Sequence, residues 1–548
     1  MKKIVLYALT QPLLMGLATL AFVFGGVLAF KNLSVEAFPD VTDTQVTVIA
    51  LYPGRAAEEV EKQVTLPLEV ALSGLPSSIR LFSHTQFGLS FTVVTYDESI
   101  PVHLARQQVN ERLRGVDLPT GVEANIAPNA TPVGEVMRYR LRGDGLSTTE
   151  LRGLQDWVVE RSLRQVPGVA DVVAMGGFIK QYEVQPDLDK LKAYKLTYQQ
   201  LLDALARGNA NAGGSYVAQG AQQFAIRGIG LLRDADDIGR IVVGSRASTP
   251  ILIRDVAAVV VGAVPRLGTV GQDGDDDVIT GIVIMRKGEN PSVVLKQVKE
   301  KIADLNAKTL PPGVQVVPFY DRTWLMEKTL FTVFKNLVEG ALLVALVLYL
   351  FLSNVRASLA VVVIIPLSLL ATFMGLKIMG VPANLLSLGA MDFGIIVDGA
   401  VIVVENIMHR LAQRGEGMND KERRHVIASA ANEVGRPTLF SMLIIIAAHI
   451  PIFALQRHEG RIFQPMALSV TSALIGSLIF SLTLVPLIAF WGLRKGLPHQ
   501  DNRLVSFCKR TYQPVLAWAL GHAKAVIGMA LGAFMLAMVA AYHLGSEF

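Results

Sequence analysis

Seven long apolar runs constrain this 548-residue chain more than any other feature. A helix needs about 20 mostly apolar residues to cross ~30 Å of hydrocarbon, and each run is close to or above that length. Only 18% of the residues are charged, whereas soluble domains carry about 25%, so a soluble enzyme is disfavoured. We predict seven membrane spans, near Leu13–Phe30, Val333–Leu352, Leu359–Leu376, Leu386–Asn406, Thr438–Leu455, Met466–Trp491 and Ala525–Leu544.

Basic residues between these runs predict the orientation, because short loops rich in Lys and Arg stay in the cytoplasm. The loops that carry Arg410 and Arg494 are therefore predicted to be cytoplasmic, together with the lone Cys508. By alternation, the long segment after the first span lies outside the cytoplasm. The first run follows two lysines, as a cleaved signal peptide would. Its length exceeds the usual 7–15 or so apolar residues of such a peptide, which favours an uncleaved anchor.

Composition excludes several other classes of protein. A single cysteine rules out a disulfide scaffold and a thiolate zinc cage within this chain. The net charge of +5 is small for the length and does not indicate nucleic acid as a partner. The predicted spans make membrane lipid the expected partner. The chain has no phosphate-binding G-x-x-x-x-G-K-[ST] sequence, so it has no P-loop of its own. No permanently bound cofactor is expected.

The segment after the first span alternates strand and helix patterns. A strand over Gln45–Leu51 precedes a helix over Ala56–Leu72, and two strands and a second helix follow. This β-α-β-β-α order begins a ferredoxin-like βαββαβ unit. The order recurs from Val136, with Lys180–Val184 as the next strand after Val169–Ala174. We predict an α+β extracytoplasmic domain of two such subdomains, a strand-rich module over about 210–285 and a closing helix near 291–305.

The two ends of the chain share a pattern. The first span leads into Leu33-Ser34-Val35-Glu36-Ala37-Phe38, and the seventh leads into Leu544-Gly545-Ser546-Glu547-Phe548. An apolar span followed by small and polar residues, Glu and Phe therefore occurs twice. Internal repeats are common in secondary transporters, so we predict that the chain is half of a duplicated protein.

The fourth apolar run contains three carboxylates: Asp392, Asp398 and Glu405. Each charge near the bilayer centre costs about 2.5–3.5 kcal/mol on insertion scales, so a functional role is the first hypothesis. Asp398 and Glu405 are seven residues apart, which places them about 20° apart around a helix and ~10 Å apart along it. A proton relay explains all three residues. The alternative is a carboxylate paired with a basic residue of another helix.

These features resemble the N-terminal half of a resistance–nodulation–division pump. One span, an outer domain of about 300 residues and then clustered spans follow that family's order over essentially the whole chain. The fourth run reads Asp-Phe-Gly-x-x-x-Asp-Gly-Ala and ends in Glu405-Asn406, which is similar to the heavy-metal branch of the cobalt–zinc–cadmium type. Multidrug members have adjacent aspartates where this chain has Val397-Asp398. Full members are about twice as long, so five spans, a second outer domain and the basic partner of the relay are missing here.

The resemblance implies a proton-driven antiporter of divalent cations rather than an enzyme. It implies a homotrimer in a Gram-negative inner membrane, with a periplasmic adaptor, an outer-membrane channel and the missing C-terminal half as partners. In zinc-exporting relatives a carboxylate-lined metal site lies in the cleft of the porter domain, and by motif position Glu135 and Asp171 match acidic residues assigned to that region. The alternative for both residues is a solvated carboxylate at a strand end or turn.

The predicted organisation follows. Residues 1–33 hold the first span, 34–329 the periplasmic porter and docking domain, and 330–495 spans two to six. Residues 496–522 are an amphipathic cytoplasmic connector, and 523–548 hold the seventh span and the start of the missing half. Two other functions stay open: export of organic compounds by the same fold, and a membrane scaffold that does not transport.

Overall fold

The structure is a computed structural model that describes residues 2–36, 38–246, 248–266, 268–389, 391, 393–414, 418–493 and 503–544. Internal contacts divide the chain into two compact units. The first unit comprises Met1–Ala127 and Thr323–Phe548, and the second comprises Pro128–Arg322. The first unit holds the apolar helices and one four-stranded sheet, and the second unit holds another four-stranded sheet.

Seven helices in the described ranges are long and apolar enough to cross a membrane. Each predicted run falls on one of these helices, and only the runs that end at Leu455 and Leu544 extend past it, by one residue each. Span 4 consists of Leu385–Gly389 and Phe393–Arg414, and the amphipathic helix Arg503–Gly521 precedes span 7. Spans 1 to 7 are Pro12–Lys31, Arg322–Leu352, Val355–Met379, Leu385–Arg414, Asp420–Ala454, Arg457–Gly492 and Ala523–His543.

Spans 3 to 6 share a buried core with a short N-terminal helix, Lys2–Thr10. Val5 and Leu9 of this helix are at most 1% exposed and belong to the same apolar cluster as residues of spans 4 to 6. Small residues let the spans approach closely: a Cβ built on Gly476 would lie 2.5 Å from the Cβ of Ala371. The residues before span 1 are therefore part of the bundle core. The ends of spans 1 and 3 also meet, because Val35–Glu36 pairs in parallel with Ala383–Asn384.

The first four-stranded sheet lies in the first unit and packs against two helical segments. Its buried residues Val46, Val48 and Ala50 alternate along the strand, as a half-buried strand requires, and join Val64 and Leu68 of the helix in one cluster. Both periodicities match those predicted from the sequence. The antiparallel strands lie in the order Ser78–Gln86, Leu89–Tyr96, Thr44–Leu51 and Ala124–Ile126, and the helical segments are Ala57–Leu72 and Val102–Leu113.

The second sheet corrects one prediction. Its antiparallel strands lie in the order Val314–Asp321, Ala130–Gly143, Ile279–Arg286 and Val169–Met175, with helical segments over Thr148–Arg164 and Pro291–Thr309. The sequence predicts Lys180–Val184 as the next strand of this unit, but the observed strand Lys180–Pro186 pairs with Ala257–Ala263 outside the sheet. Ile279–Arg286 takes the central place instead. The physical reason is burial: Ile279, Val283 and Met285 are at most 7% exposed, whereas no residue of Lys180–Pro186 is buried.

Along the chain, the second sheet and its helices follow the order β-α-β, then an insertion of about 100 residues, then β-α-β. The inserted residues contain the helices Leu188–Ala193, Tyr198–Arg207, Ala235–Gly239 and Ile253–Val256, and the paired strands Lys180–Pro186 with Ala257–Ala263 and Val242–Arg246 with Thr249–Leu252. They also contain a hairpin of Ala212–Gln219 and Gln222–Gly228. This hairpin is exposed along its described length, including Tyr216, Phe224 and Ile226.

Candidate functional site

Two of the three predicted relay carboxylates lie on the continuous helix Phe393–Arg414. Asp398 and Glu405 are both exposed in this chain. The opposite face of the helix is buried in the bundle core, with Val397, Val404 and Ile407 at most 3% exposed. Asp392, the third predicted carboxylate, lies outside the described residues. The chain thus buries the apolar face of span 4 and leaves the face that carries Asp398 and Glu405 uncovered.

Span 5 packs tightly beside Asp398 because the next residue is Gly399. A Cβ built on Gly399 would lie 2.5 Å from Cε of Met442 and 2.9 Å from Cγ2 of Thr438. Thr438 is held in place because its hydroxyl donates to the carbonyl of Val434, at 2.8 Å. Only glycine gives span 5 this close approach.

A polar cluster joins spans 4 and 5 near the end of the helix. The side-chain amide of Asn406 donates to the carbonyl of Ala430 at 2.8 Å, and Arg410 forms an ion pair with Glu433 at 2.8 Å. Sequence reasoning missed Glu433. Asn406 and Arg410 are four residues apart and so share a helix face, which is the one local signal that a polar partner lies opposite.

Span 6 contacts the relay helix directly. The hydroxyl of Ser477, itself buried, donates to the carbonyl of Ile396, two residues before Asp398. Span 3 joins the same region: the hydroxyl of Thr372 lies 3.2 Å from the carbonyl of Ser469 and 3.5 Å from the sulfur of Met391. The backbone next to Asp398 is therefore held by a side chain of span 6. This link also escaped sequence reasoning, because serines are common in apolar helices.

Glu135 and Asp171 lie in the second sheet, on opposite sides of one residue. Ile284 is the register partner of Glu135 on one neighbouring strand and of Asp171 on the other. Residues directly opposite each other in antiparallel strands point to the same face of the sheet, so the two carboxylates share one face. Val283, which is buried, points to the other face. Two strand spacings separate their backbones by about 9.5 Å. The structure thus brings the two candidate ligands into one row.

Each of these carboxylates is paired with an arginine. Glu135 accepts two hydrogen bonds from Arg138, one of them at 3.1 Å, and Arg164 contacts Asp171. Arg164 also pairs with Glu160 at 3.2 Å. In the described part of the chain, no three His, Cys, Asp or Glu side chains are grouped closely enough to hold a metal ion.

Glu160 is an acidic neighbour of this row that sequence reasoning missed. Burial is the main reason that its pKa is raised above the usual value, and the negative charges of Asp156 and Asp171 add to this effect. The positive charge of Arg164 opposes it. Arginines balance these carboxylates: Arg152 pairs with Asp156 at 2.8 Å, and Arg164 contacts both Glu160 and Asp171.

Comparisons with known proteins place these features in context. The model of the AcrB/AcrD/AcrF family matches residues 4–548. The cation efflux system protein CzcA of Alcaligenes sp. (strain CT14) and the cobalt-zinc-cadmium resistance protein CzcA of Cupriavidus metallidurans are each 40% identical over the whole chain, which covers 53% of either relative. The cation efflux system protein CusA of Escherichia coli K12 is 34% identical over 95% of the chain.

A solved structure agrees with these matches. The crystal structure of a heavy metal efflux pump superposes with a TM-score of 0.87 at 38% identity, covering all of this chain and 52% of that one. The chain therefore spans about half the length of the curated relatives that it matches.

Proposed function

The chain belongs to the AcrB/AcrD/AcrF family of efflux transporters, and from this premise we propose that it is the N-terminal half of a proton-driven pump for divalent heavy-metal cations. Zinc, cobalt and cadmium are the proposed cargo, and protons moving inward supply the energy. A proton that crosses the membrane potential releases about 2.3 kcal/mol per 100 mV. Cation and proton are cargo, and we propose no resident cofactor.

The position of Asp398 carries this proposal. An ionisable residue within a membrane span faces a bundle interior or a water-filled cavity. In this chain the face that carries Asp398 and Glu405 is uncovered, while the opposite face is packed. We propose that the second half of the pump covers this face and supplies the basic partner of the relay. Asp392 belongs to the same proposed relay by its place in the motif.

The carboxylate row of the second sheet supports the choice of cargo. From bond lengths of about 1.5 Å, the oxygens of Asp and Glu reach roughly 3.5 Å and 5 Å from their Cα atoms. With metal–oxygen distances of about 2.1 Å at each end, Glu135 and Asp171 can span the 9.5 Å or so between their backbones and bind one cation above Ile284. In the absence of a cation, Arg138 pairs with Glu135 and Arg164 pairs with Asp171.

The finer architecture is part of the proposal. The strand orders of the two sheets support ferredoxin-like subdomains in one half of a duplicated pump. The outer segment is proposed to be periplasmic, with spans 1 to 7 in the inner membrane.

An isolated hairpin is at best marginally stable in water. We therefore propose that the exposed hairpin Ala212–Gly228 is covered by a second copy of the chain within a homotrimer. A periplasmic adaptor and an outer-membrane channel complete the proposed assembly.

The test is the variant Asp398→Asn in the full-length pump, reconstituted into proteoliposomes with an imposed pH gradient. The amide keeps the size of the side chain but cannot exchange a proton, so gradient-driven zinc flux and proton uptake are both expected to fall to the level of empty vesicles. Burying an amide costs less than burying a carboxylate, so insertion and assembly should not suffer.

The matched control is Asp420→Asn. Asp420 begins the helix of span 5 outside the apolar run and is 59% exposed, so this variant should transport like the parent. Parental zinc flux in Asp398→Asn would remove the relay from the proposal.

A further inference from the structure

Span 6 is longer than a membrane crossing requires. The helix Arg457–Gly492 has 36 residues, which correspond to about 54 Å, whereas the hydrocarbon core is ~30 Å thick. Its first turns precede the apolar part of the span and carry Arg457, His458 and Arg461. These basic side chains meet the first four-stranded sheet, which belongs to the same compact unit.

The contact is a compact cluster, here called the span-6 joint, formed by Asp43, Glu98, Arg457 and Arg461. Arg457 donates to the carboxylate of Asp43 at 2.7 Å through its guanidinium and to that of Glu98 at 3.2 Å through its backbone N–H. Arg461 donates to the carbonyls of Thr42 and Val41 at 2.6 and 3.0 Å. Arg461 also lies 3.4 Å from Asp43 and 3.7 Å from Glu98.

Two observations indicate that this joint is rigid. The side chain of Asp43 is only 13% exposed, which makes its ion pairs stronger than those of a solvated surface pair. Arg457 adopts a backbone φ of 52°, in the left-handed region that a non-glycine residue avoids unless its surroundings hold it there. The two carboxylates and two arginines fix the start of span 6 relative to residues 41–43 and 97–99.

The span-6 joint contacts the ends of the two central strands of the sheet. Asp43 directly precedes the strand Thr44–Leu51, and Glu98 follows the strand Leu89–Tyr96 by two residues. These two strands pair with each other, with Thr44 opposite Tyr96. Span 6 is therefore attached to one end of both central strands, so that any shift of its first turn displaces the middle of the sheet.

The middle of the same helix reaches the relay. Ser477 donates to the carbonyl of Ile396, two residues before Asp398. Sixteen residues, or about 24 Å of continuous helix, separate Ser477 from Arg461. One helix, which contains Pro465 between the two contacts, thus reaches both the backbone beside the proposed proton carrier and the outer sheet.

We propose that Arg457 and Arg461 are positioning residues that link span 6 to the first sheet, so that movement of span 6 at Asp398 is transmitted to the outer sheet and couples proton entry to cation export. This inference rests on the proposed function. It adds the element that carries the movement and the residues through which that element acts.

The ionisation of Asp43 makes the span-6 joint a permanent link and not a pH-dependent switch. Burial acts to raise the pKa of Asp43, but the hydrogen bond and charge of Arg457, with the charges of His458 and Arg461, hold it below its usual value. Asp43 therefore stays ionised at neutral pH. His458 lies 3.9 Å from Asp43, and Asp97, Glu98 and Glu459 are further charged groups near the joint.

The experiment compares two double variants of the full-length pump in proteoliposomes, with proton uptake and zinc flux measured on the same vesicles. In Arg457→Gln/Arg461→Gln the joint is broken while the relay is intact. Coupling energies of 1–3 kcal/mol predict that zinc flux falls by about five- to 150-fold while proton uptake continues, so that more protons enter per zinc ion. In Arg457→Lys/Arg461→Lys the charges remain, and much of the zinc flux should return.

Arg55→Gln is the matched control. Arg55 forms an exposed ion pair with Glu59 in the same compact unit and should leave the ratio of protons to zinc unchanged. If the double Gln variant does not reach the membrane, Asp43→Asn breaks the same joint with a side chain of equal size. An unchanged ratio of protons to zinc in whichever variant assembles would overturn the inference.

The two proposals fail in different ways. Asp398→Asn removes both fluxes if the proposed function holds, whereas loss of the joint removes only zinc flux. If Asp398→Asn transports zinc like the parent, the relay of the proposed function is wrong. If Asp398→Asn is inactive but the joint variants keep a normal ratio, only the further inference is wrong.

Discussion

Replacing Arg138 should tighten cation binding at the carboxylate row, although the substitution removes an arginine from a binding surface. Arg138 holds Glu135 through two hydrogen bonds, and the side chains are 47% and 29% exposed. A cation that binds Glu135 must first break this pair. In Arg138→Gln that competition disappears, and so does the repulsion between a guanidinium and a divalent cation.

The size of the effect follows from these two contributions. A partly exposed ion pair contributes about 0–1 kcal/mol. Charges of +1 and +2 that are about 6 Å apart repel by ~1.4 kcal/mol in water, and physiological salt, with a Debye length of ~8 Å, reduces this to roughly 0.7 kcal/mol. The sum of about 0.7–1.7 kcal/mol corresponds to binding that is roughly three- to fifteenfold tighter.

The assay is equilibrium dialysis or calorimetry of zinc binding to the detergent-purified protein at fixed salt. Arg142→Gln is the matched control, since Arg142 lies on the same strand about 13 Å from Arg138, beyond the screening length. It should change zinc affinity less than twofold or so, and Glu135→Gln should weaken it. Equal affinities for Arg138→Gln and the parent, or the same gain in Arg142→Gln, would refute the proposed cation position.

Other expected outcomes concern packing, topology and acid stability. Gly399→Leu should lower the stability of the purified protein by about 1–3 kcal/mol through overpacking against Thr438 and Met442, whereas Gly532→Leu, with no atom within 4 Å of its Cβ position, should melt like the parent. Cys508, which is exposed, should react with an impermeant thiol reagent only after the cells are permeabilised, and labelling in intact cells would contradict the topology. The lowered pKa of Asp43 stabilises the fold above the unfolded carboxyl value of about 3.9, and this stabilisation is lost as pH falls through the lower folded value. Asp43→Asn should therefore lower the melting temperature at pH 7 and have little effect near pH 2, and an equal decrease at both pH values would show that the charge is not responsible.

Local patterns in the sequence determined much of the fold. The length and apolarity of seven runs were enough to locate all seven spans, because a span must satisfy its own backbone hydrogen bonds as a helix of fixed length. The second helix predicted in the outer segment is present, over Val102–Leu113. The motif around Asp398 indicated the family that the comparisons then showed.

Only the tertiary structure decided which distant segments meet. Ile279–Arg286 rather than Lys180–Pro186 pairs with Ala130–Gly143, because strand pairing is settled by which strand buries more apolar surface and not by its place in the chain. Asp43 meets Arg457 across 414 residues, and charged residues carry no sequence signal that names their partner. The uncovered face of span 4 is likewise a result of packing: periodicity shows that Asp398 and Glu405 share a face, but only the neighbouring helices decide which face is covered.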